Sequence, residues 1–234
     1  MVGKHTENCM ICGGQLVYSN TTQNMSCHFC KKHDDVNVIC ENGHYVCDSC
    51  HADNGISFIT KYVKETKSKN PIIILTEIMK NITINMHGPE HHYLVVATLL
   101  SAYKNADGEI ELDKALKSAE QRAKNVPGGV CGLWGSCGAG IASGIFISII
   151  TDATPLSEKE WAFANKMTSK SLNTISENGG PRCCKRNSYI AIIQAATFIK
   201  DNFGIMLEMP EQVSCIFSYR NKQCKKDDCL FFNK

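Results

Sequence analysis

Cys9-Met-Ile-Cys12-Gly-Gly, Cys27-His-Phe-Cys30, Cys40-Glu-Asn-Gly-His44 and Cys47-Asp-Ser-Cys50-His51 place four pairs of soft metal ligands inside one run, residues 9–51. Paired Cys or His residues at this spacing supply thiolates and imidazoles that close a tetrahedron around zinc. The eight side chains Cys9, Cys12, Cys27, Cys30, Cys40, His44, Cys47 and Cys50 make two complete sets of four ligands. Two CxxC knuckles flanking a hairpin at Gln15–Ser26 are one way to close the first set. The spacing leaves the topology open. The pairs bind in sequence, or they interleave as a cross-brace, pair one with three and pair two with four. Either way no coordination position is left vacant, so these zincs are read as folding the module. Residues 1–54 are polar, rich in Cys, His, Asn and Asp, and lack helical periodicity, which is the usual condition of a metal-folded module.

Outward from this module the pattern changes. Ile56, Ile59, Tyr62 and Val63 keep helical spacing, Pro71 opens an apolar helix through Met79, and Pro89 opens another through Tyr103. A charged amphipathic helix follows Asp107-Gly108 and runs to Lys124. The glycine-rich stretch Pro127–Gly144 enters an apolar helix ending near Ile150, on which Gly140 and Gly144 allow another backbone to approach closely. Ser157 with Glu160 reads as a capping box for a helix to Ile175, and a last helix runs from Arg182 to Phe203. The expected fold is therefore mainly α: a small zinc-bound β-hairpin/knuckle module over 1–54, an all-helical domain over 55–210, and a cysteine-bearing tail over 211–234.

The chain has 234 residues, a net charge of +2 and 14 cysteines. So small a net charge gives no general pull toward nucleic acid or membrane, and Lys31, Lys32 and His33 are too few for a nucleic-acid footprint. Met1–Asn8 is polar and no apolar stretch reaches bilayer length, so a cytoplasmic protein with reduced, metal-bound thiols is expected.

Three further segments share one design. His87-Gly-Pro-Glu90-His91-His92, Cys131 to Cys137-Gly-Ala-Gly140, and Gly180-Pro-Arg-Cys183-Cys184-Lys-Arg186 each put Cys or His where a helix begins. Free N–H groups and the macrodipole there favour anions, and Arg182, Lys185 and Arg186 are expected to lower thiol pKa further. His91, Cys137 and Cys183 are expected to meet in one centre, with His87 and His91 as metal ligands and Glu90 or His91 as acid/base. Because vicinal cysteines do not easily face one site, Cys184 is the alternative to Cys183. In the tail, Cys215, Cys224 and Cys229 with one further ligand suit a [4Fe–4S] cluster or a zinc. The tail's low apolar content suggests that it cannot order itself without that anchor.

Gly135-Ser136-Cys137-Gly138-Ala139, preceded by Gly128-Gly129 and followed by Cys183-Cys184, resembles the helical redox family described by its C-GCAxxG-C-C pattern. The whole chain, with Cys9–His51, the His87–His92 run and Gly180-Pro-Arg-Cys-Cys184, is similar to an uncharacterised domain family of archaea and anaerobic bacteria. The resemblance implies a redox or iron–sulfur role and association with a radical or methyl-transfer enzyme as partner. Where the redox family carries an early cysteine, this chain has the His87–His92 segment, which favours mixed His/Cys metal ligation over a dithiol relay. The leading reading is thus a metal–sulfur protein passing electrons or sulfur to a partner enzyme. The others are an adaptor docked through its zinc module, and a cluster-dependent enzyme acting on a small molecule.

Overall fold

A two-stranded antiparallel hairpin, β1 (Leu16–Ser26) and β2 (His33–Cys40), leads directly into eight α-helices in this computed structural model, which describes residues 9–233. The polar Met1–Asn8 read above lies outside the described residues. The hairpin pairs Leu16 with Cys40 at one end and Ser26 with His33 at the other, with a bulge between Tyr18 and Gln23. Gln15–Ser26 is therefore not itself a hairpin: it is almost entirely one strand.

Helix α1 (Asp48–Glu65) begins inside the fourth ligand pair and buries Ala52, Gly55, Ile56, Ile59 and Val63. That single continuous helix joins the metal module to the helical core. Helix α2 (Pro71–Lys80) is started by Asn70, whose Oδ1 accepts from the N–H groups of Ile72 and Ile73 at 3.0 and 3.1 Å. Helix α3 (Glu90–Asn105) is buried on every side from Glu90 to Tyr103 and packs against α1, α2, α4, α6 and α8, so it forms the axis of the domain. Helix α4 (Leu112–Lys124) shows only one face to it, through Ala115, Leu116, Ala119 and Ala123. After the short turn of helix α5 (Val130–Leu133), α6 (Gly138–Ile150) lies against α7 (Lys159–Glu177). Gly140 faces Leu172, and a Cβ on Gly144 would overlap Thr168 and come within 2.9 Å of the Ala164 carbonyl oxygen. The small residues thus set the closeness of the two helices, as their four-residue spacing suggests.

The capping box does not form. Glu158 precedes α7 without a side-chain cap, and Ser157 instead accepts from Thr154 N–H at 3.0 Å, closing the preceding turn. Helix α8 (Cys184–Phe203) ends at Gly204 in the left-handed conformation, φ 69°. The tail beyond it returns to the core by two aromatic anchors, Phe217 and Phe231, both buried, with Phe231 against Tyr189. Its average composition conceals these two side chains, which tie the segment to the helical core. No helix among the described residues is long and apolar enough to cross a membrane.

Candidate metal centres

The hairpin settles the pairing of the first eight ligands. Its Leu16–Cys40 end brings Cys40 beside Cys9 and Cys12, and Glu41 N–H donates to the Gln15 carbonyl at 2.9 Å. Its other end holds Cys27 and Cys30, where His28 N–H reaches the Tyr45 carbonyl at 2.8 Å and draws in the segment before Cys47. The result is a cross-brace: Cys9, Cys12, Cys40 and His44 form one group, and Cys27, Cys30, Cys47 and Cys50 the other. Within each group all ligand atoms lie within 4.8 Å of one another. The Cys12–Cys40 and Cys30–Cys47 sulfurs are 3.5 and 3.6 Å apart, close to the roughly 3.8 Å between sulfurs of a tetrahedral zinc–thiolate site. Each group can hold a metal such as zinc. Because the two knuckles flanking Gln15–Ser26 sit at opposite ends of one strand, they cannot share an ion.

The thiols push one another apart in charge. The Asn42 amide and Gly14 N–H beside Cys12 bring its pKa down to about 6. Cys27 also falls to about 6: burial opposes ionisation, but the N–H groups of Cys47, Cys30 and Phe29 outweigh it. The neighbouring Cys47 sulfur drives Cys50 up to about 12, while burial raises Cys40 and Cys47. Three or four thiolates do not coexist so closely without a cation, and a divalent metal would supply it.

The other seven cysteines surround two neighbouring cavities. The first, of about 170 Å³, lies where α3, α6 and α8 begin, and the hairpin closes it through Leu16, Tyr18 and Val38. His87, His91, His92, Cys131, Cys137, Cys183 and Cys184 all line it, so the three segments singled out by sequence do come together. They are not equivalent. His91 donates from Nδ1 to the Gly88 carbonyl at 3.1 Å and accepts at Nε2 from Lys185 Nζ at 3.1 Å, so neither ring nitrogen is left for a metal. His92 donates from Nδ1 to the Val126 carbonyl at 3.0 Å, and its Nε2 faces Gly138. Gln223 N–H and the Cys183 sulfur orient the Asn221 amide so that its Oδ1 takes His87 Nε2–H at 3.4 Å. That leaves His87 Nδ1 buried with an unused lone pair. Burial, with Arg182 nearby, lowers the His87 pKa to about 4, and burial likewise keeps His91 and His92 neutral.

Glu90 is fully buried behind this wall, not on it. Its Oε1 accepts from Asn85 N–H and side-chain N–H₂, and its Oε2 has no hydrogen bond and stands 3.9 Å from His51 Nδ1. Sequence reasoning gave His51 no role beyond adjacency to Cys50, and only the docking of α1 on α3 pairs it with Glu90.

The expected lowering of thiol pKa by the helix N-termini does not hold. Burial pushes Cys184 up to about 12 and also raises Cys131 and Cys183. Two of the three cations that were to assist are turned elsewhere. Lys185 is buried against His91 and the Asn85 carbonyl, burial bringing it down to about 7, and Arg186 donates to the Gly179 and Pro181 carbonyls. Arg182 alone of the three lines the cavity, with its guanidinium over the Tyr18 ring. Thiols held protonated in this way are poor nucleophiles.

The second cavity, of only about 20 Å³, is lined by Cys183, Cys215, Cys224 and Cys229, together with Arg186, Asn221 and Lys225. Cys183, which caps the N-terminus of α8, borders both cavities. Among the described residues no three of these four thiols lie within 4.8 Å of one another. The local turns nevertheless repeat those of the first module. Phe217 N–H points to Cys215 Sγ and Lys226 N–H to Cys224 Sγ, each at 3.4 Å. Ile11, Gly14 and Asn42 do the same to Cys9, Cys12 and Cys40 at 3.3–3.4 Å.

Residues 59–232 match a family of unknown function, DUF5714. The chain belongs to that family. The match begins within α1, so the hairpin and its eight ligands precede the part the family describes, whereas both helical-domain cavities draw most of their walls from within it. No curated protein and no solved structure matches the chain.

Proposed function

We propose that this member of DUF5714 is an iron–sulfur electron carrier. Its cluster is held by Cys183, Cys215, Cys224 and Cys229, and its hairpin module is folded by two zincs. One observation carries the reading: four thiols from α8 and the tail surround one cavity, two of them in the N–H···S turns that the chain uses at its zinc-type sites. The spacing discriminates between metals. A single zinc needs sulfurs about 4 Å apart, and no three of these four lie within 4.8 Å of one another. A [4Fe–4S] cube takes ligands roughly 6 Å apart, and loading one into a cavity of about 20 Å³ requires the tail, which carries three of the ligands, to move outward. Arg186 and Lys225 on the wall offset the negative charge of a thiolate-ligated cluster.

When bound, a cluster of this kind takes up one electron and gives it back. The donor class is a reduced flavin or ferredoxin-type protein, and the acceptor is a partner enzyme, for which a radical or methyl-transfer enzyme is the expected class. The chain's own residues shield the cluster: Phe217, Met86 and Phe232 close the cavity against water. Protein purified without oxygen should be brown, with visible absorption that bleaches on reduction. Cys224→Ala should lose it while keeping zinc. A colourless protein that binds zinc alone, after anaerobic reconstitution with iron and sulfide, would leave the zinc-docked adaptor as the better reading.

A further inference from the structure

Seven cysteines belong to the cross-brace and four to the tail cavity, which leaves Cys131, Cys137 and Cys184 of the fourteen. All three line the larger cavity. We propose that this cavity holds a second iron–sulfur cluster, ligated by Cys131, Cys137 and Cys184 and completed by Nδ1 of His87.

Four observations meet here. The first is ligand type: three thiols and one imidazole nitrogen that is buried and without a hydrogen-bond partner. An unsatisfied buried nitrogen is costly unless something occupies its lone pair. The second is support of the ligands. Asn187 Nδ2 donates to Cys137 Sγ at 3.3 Å, Gly88 N–H points to Cys184, and Asn221 fixes the tautomer of His87. Hydrogen bonds of this kind orient metal ligands and tune the metal they bind. The third is charge. Helices α3, α6 and α8, of 16, 13 and 20 residues, all begin at the cavity, and Arg182 adds a full positive charge. Against them stands one carboxylate on the wall, Asp48, which is already engaged by Gly128 N–H. An anionic thiolate-ligated cluster would sit on these helix ends. The fourth is size and spacing. No three of these ligand atoms lie within 4.8 Å, too wide for one ion, while about 170 Å³ suffices for a cube of iron and sulfide.

The vicinal pair Cys183-Cys184 then ligates one cluster from each residue, with Cys183 on the wall between the two cavities. A nitrogen ligand in place of a fourth thiolate makes the second cluster less negative and raises its potential. Electrons would therefore run from the tail cluster to the cavity cluster. The inference shares with the proposed function the premise that the chain binds iron–sulfur clusters, and the variants below separate the two.

The test is metal and acid-labile sulfide analysis of the full chain, expressed and reconstituted anaerobically with ferrous iron and sulfide, with electron paramagnetic resonance of the reduced protein. The wild type should carry about eight irons, in two [4Fe–4S] clusters with distinct, magnetically coupled signals. Cys224→Ala should remove about four of them, and the double variant Cys137→Ala/Cys184→Ala should remove the other four, with zinc unchanged in both as the control for folding. His87→Ala should keep the iron but lower the potential of one signal and alter its shape, a change that a merely structural histidine would not cause. A wild type with about four irons, lost in Cys224→Ala and untouched in the double variant, overturns the second cluster while the tail cluster stands. Iron lost only in the double variant refutes the tail assignment and supports the cavity cluster. Iron in none of them refutes both.

Discussion

Between residues 9 and 50 the buried side chains are Cys9, Cys27, Cys40 and Cys47, so the core of the hairpin module is its own candidate metal ligands. Behind it, the helical domain buries Leu94, Leu99, Phe146, Ile147 and Phe198, and its seven cysteines sit half-buried around cavities. In the first region the ligand atoms crowd within 4.8 Å; in the second no three do, among the described residues. The contrast separates two uses of the same residue. Where apolar side chains are lacking, cysteine serves as the cross-link that makes folding possible. Where an apolar core already fixes the backbone, cysteines can stand apart around a cavity, free of that cross-linking duty.

Removing metal from the module should have the largest effect. Zinc binding in modules of this kind is worth about 10–16 kcal/mol, and there is little else to hold residues 9–50 together. Chelation, or Cys27→Ser, should open that segment to protease and hydrogen exchange while far-UV circular dichroism keeps most of the helical signal. Continued protection of the metal-free segment would break the comparison outright. In the helical domain the corresponding stress is steric. Gly144→Ala drives a methyl into Thr168 and the Ala164 carbonyl, and overpacking of this kind costs about 1–3 kcal/mol. Thermal melting should drop by several degrees with zinc content unchanged.

Asn70→Ala removes the cap of α2, at about 1 kcal/mol, a smaller loss read in the same melt and again independent of metal. The weakest effect should come at the seam between the regions. Tyr18 lies under the Arg182 guanidinium, 5.2 Å from ring centroid to cation, a contact worth about 0.5–1 kcal/mol at an exposed site. Tyr18→Leu should leave both melting and metal content within error, and raise hydrogen exchange only where the hairpin covers the cavity.

The mainly helical fold, its hairpin module and most helix boundaries were legible because local rules govern them. Pro71, Asn70 and Gly204 punctuate the helices, and Gly140 with Gly144 announces the close α6–α7 contact. The capping box at Ser157 was misread because a hydroxyl that fits an N-cap fits a turn just as well. Phe217 and Phe231 were overlooked as anchors because two aromatics in a polar tail carry no periodicity.

By itself, then, the sequence determined which residue types gather in which segments: four ligand pairs, three Cys/His helix starts, three tail cysteines. Spacing along the chain is enough for that, since the members of each pair lie within a turn of one another. Tertiary structure alone decided which segments share a site. The register of one hairpin chose the cross-brace, since a strand carries its two ends apart. The docking of the tail on α8 put Cys183 on the wall between two cavities, one shared with Cys215, Cys224 and Cys229 and the other with Cys184. Burial, which depends on every neighbour at once, then reversed the pKa shifts that the helix N-termini alone would have produced.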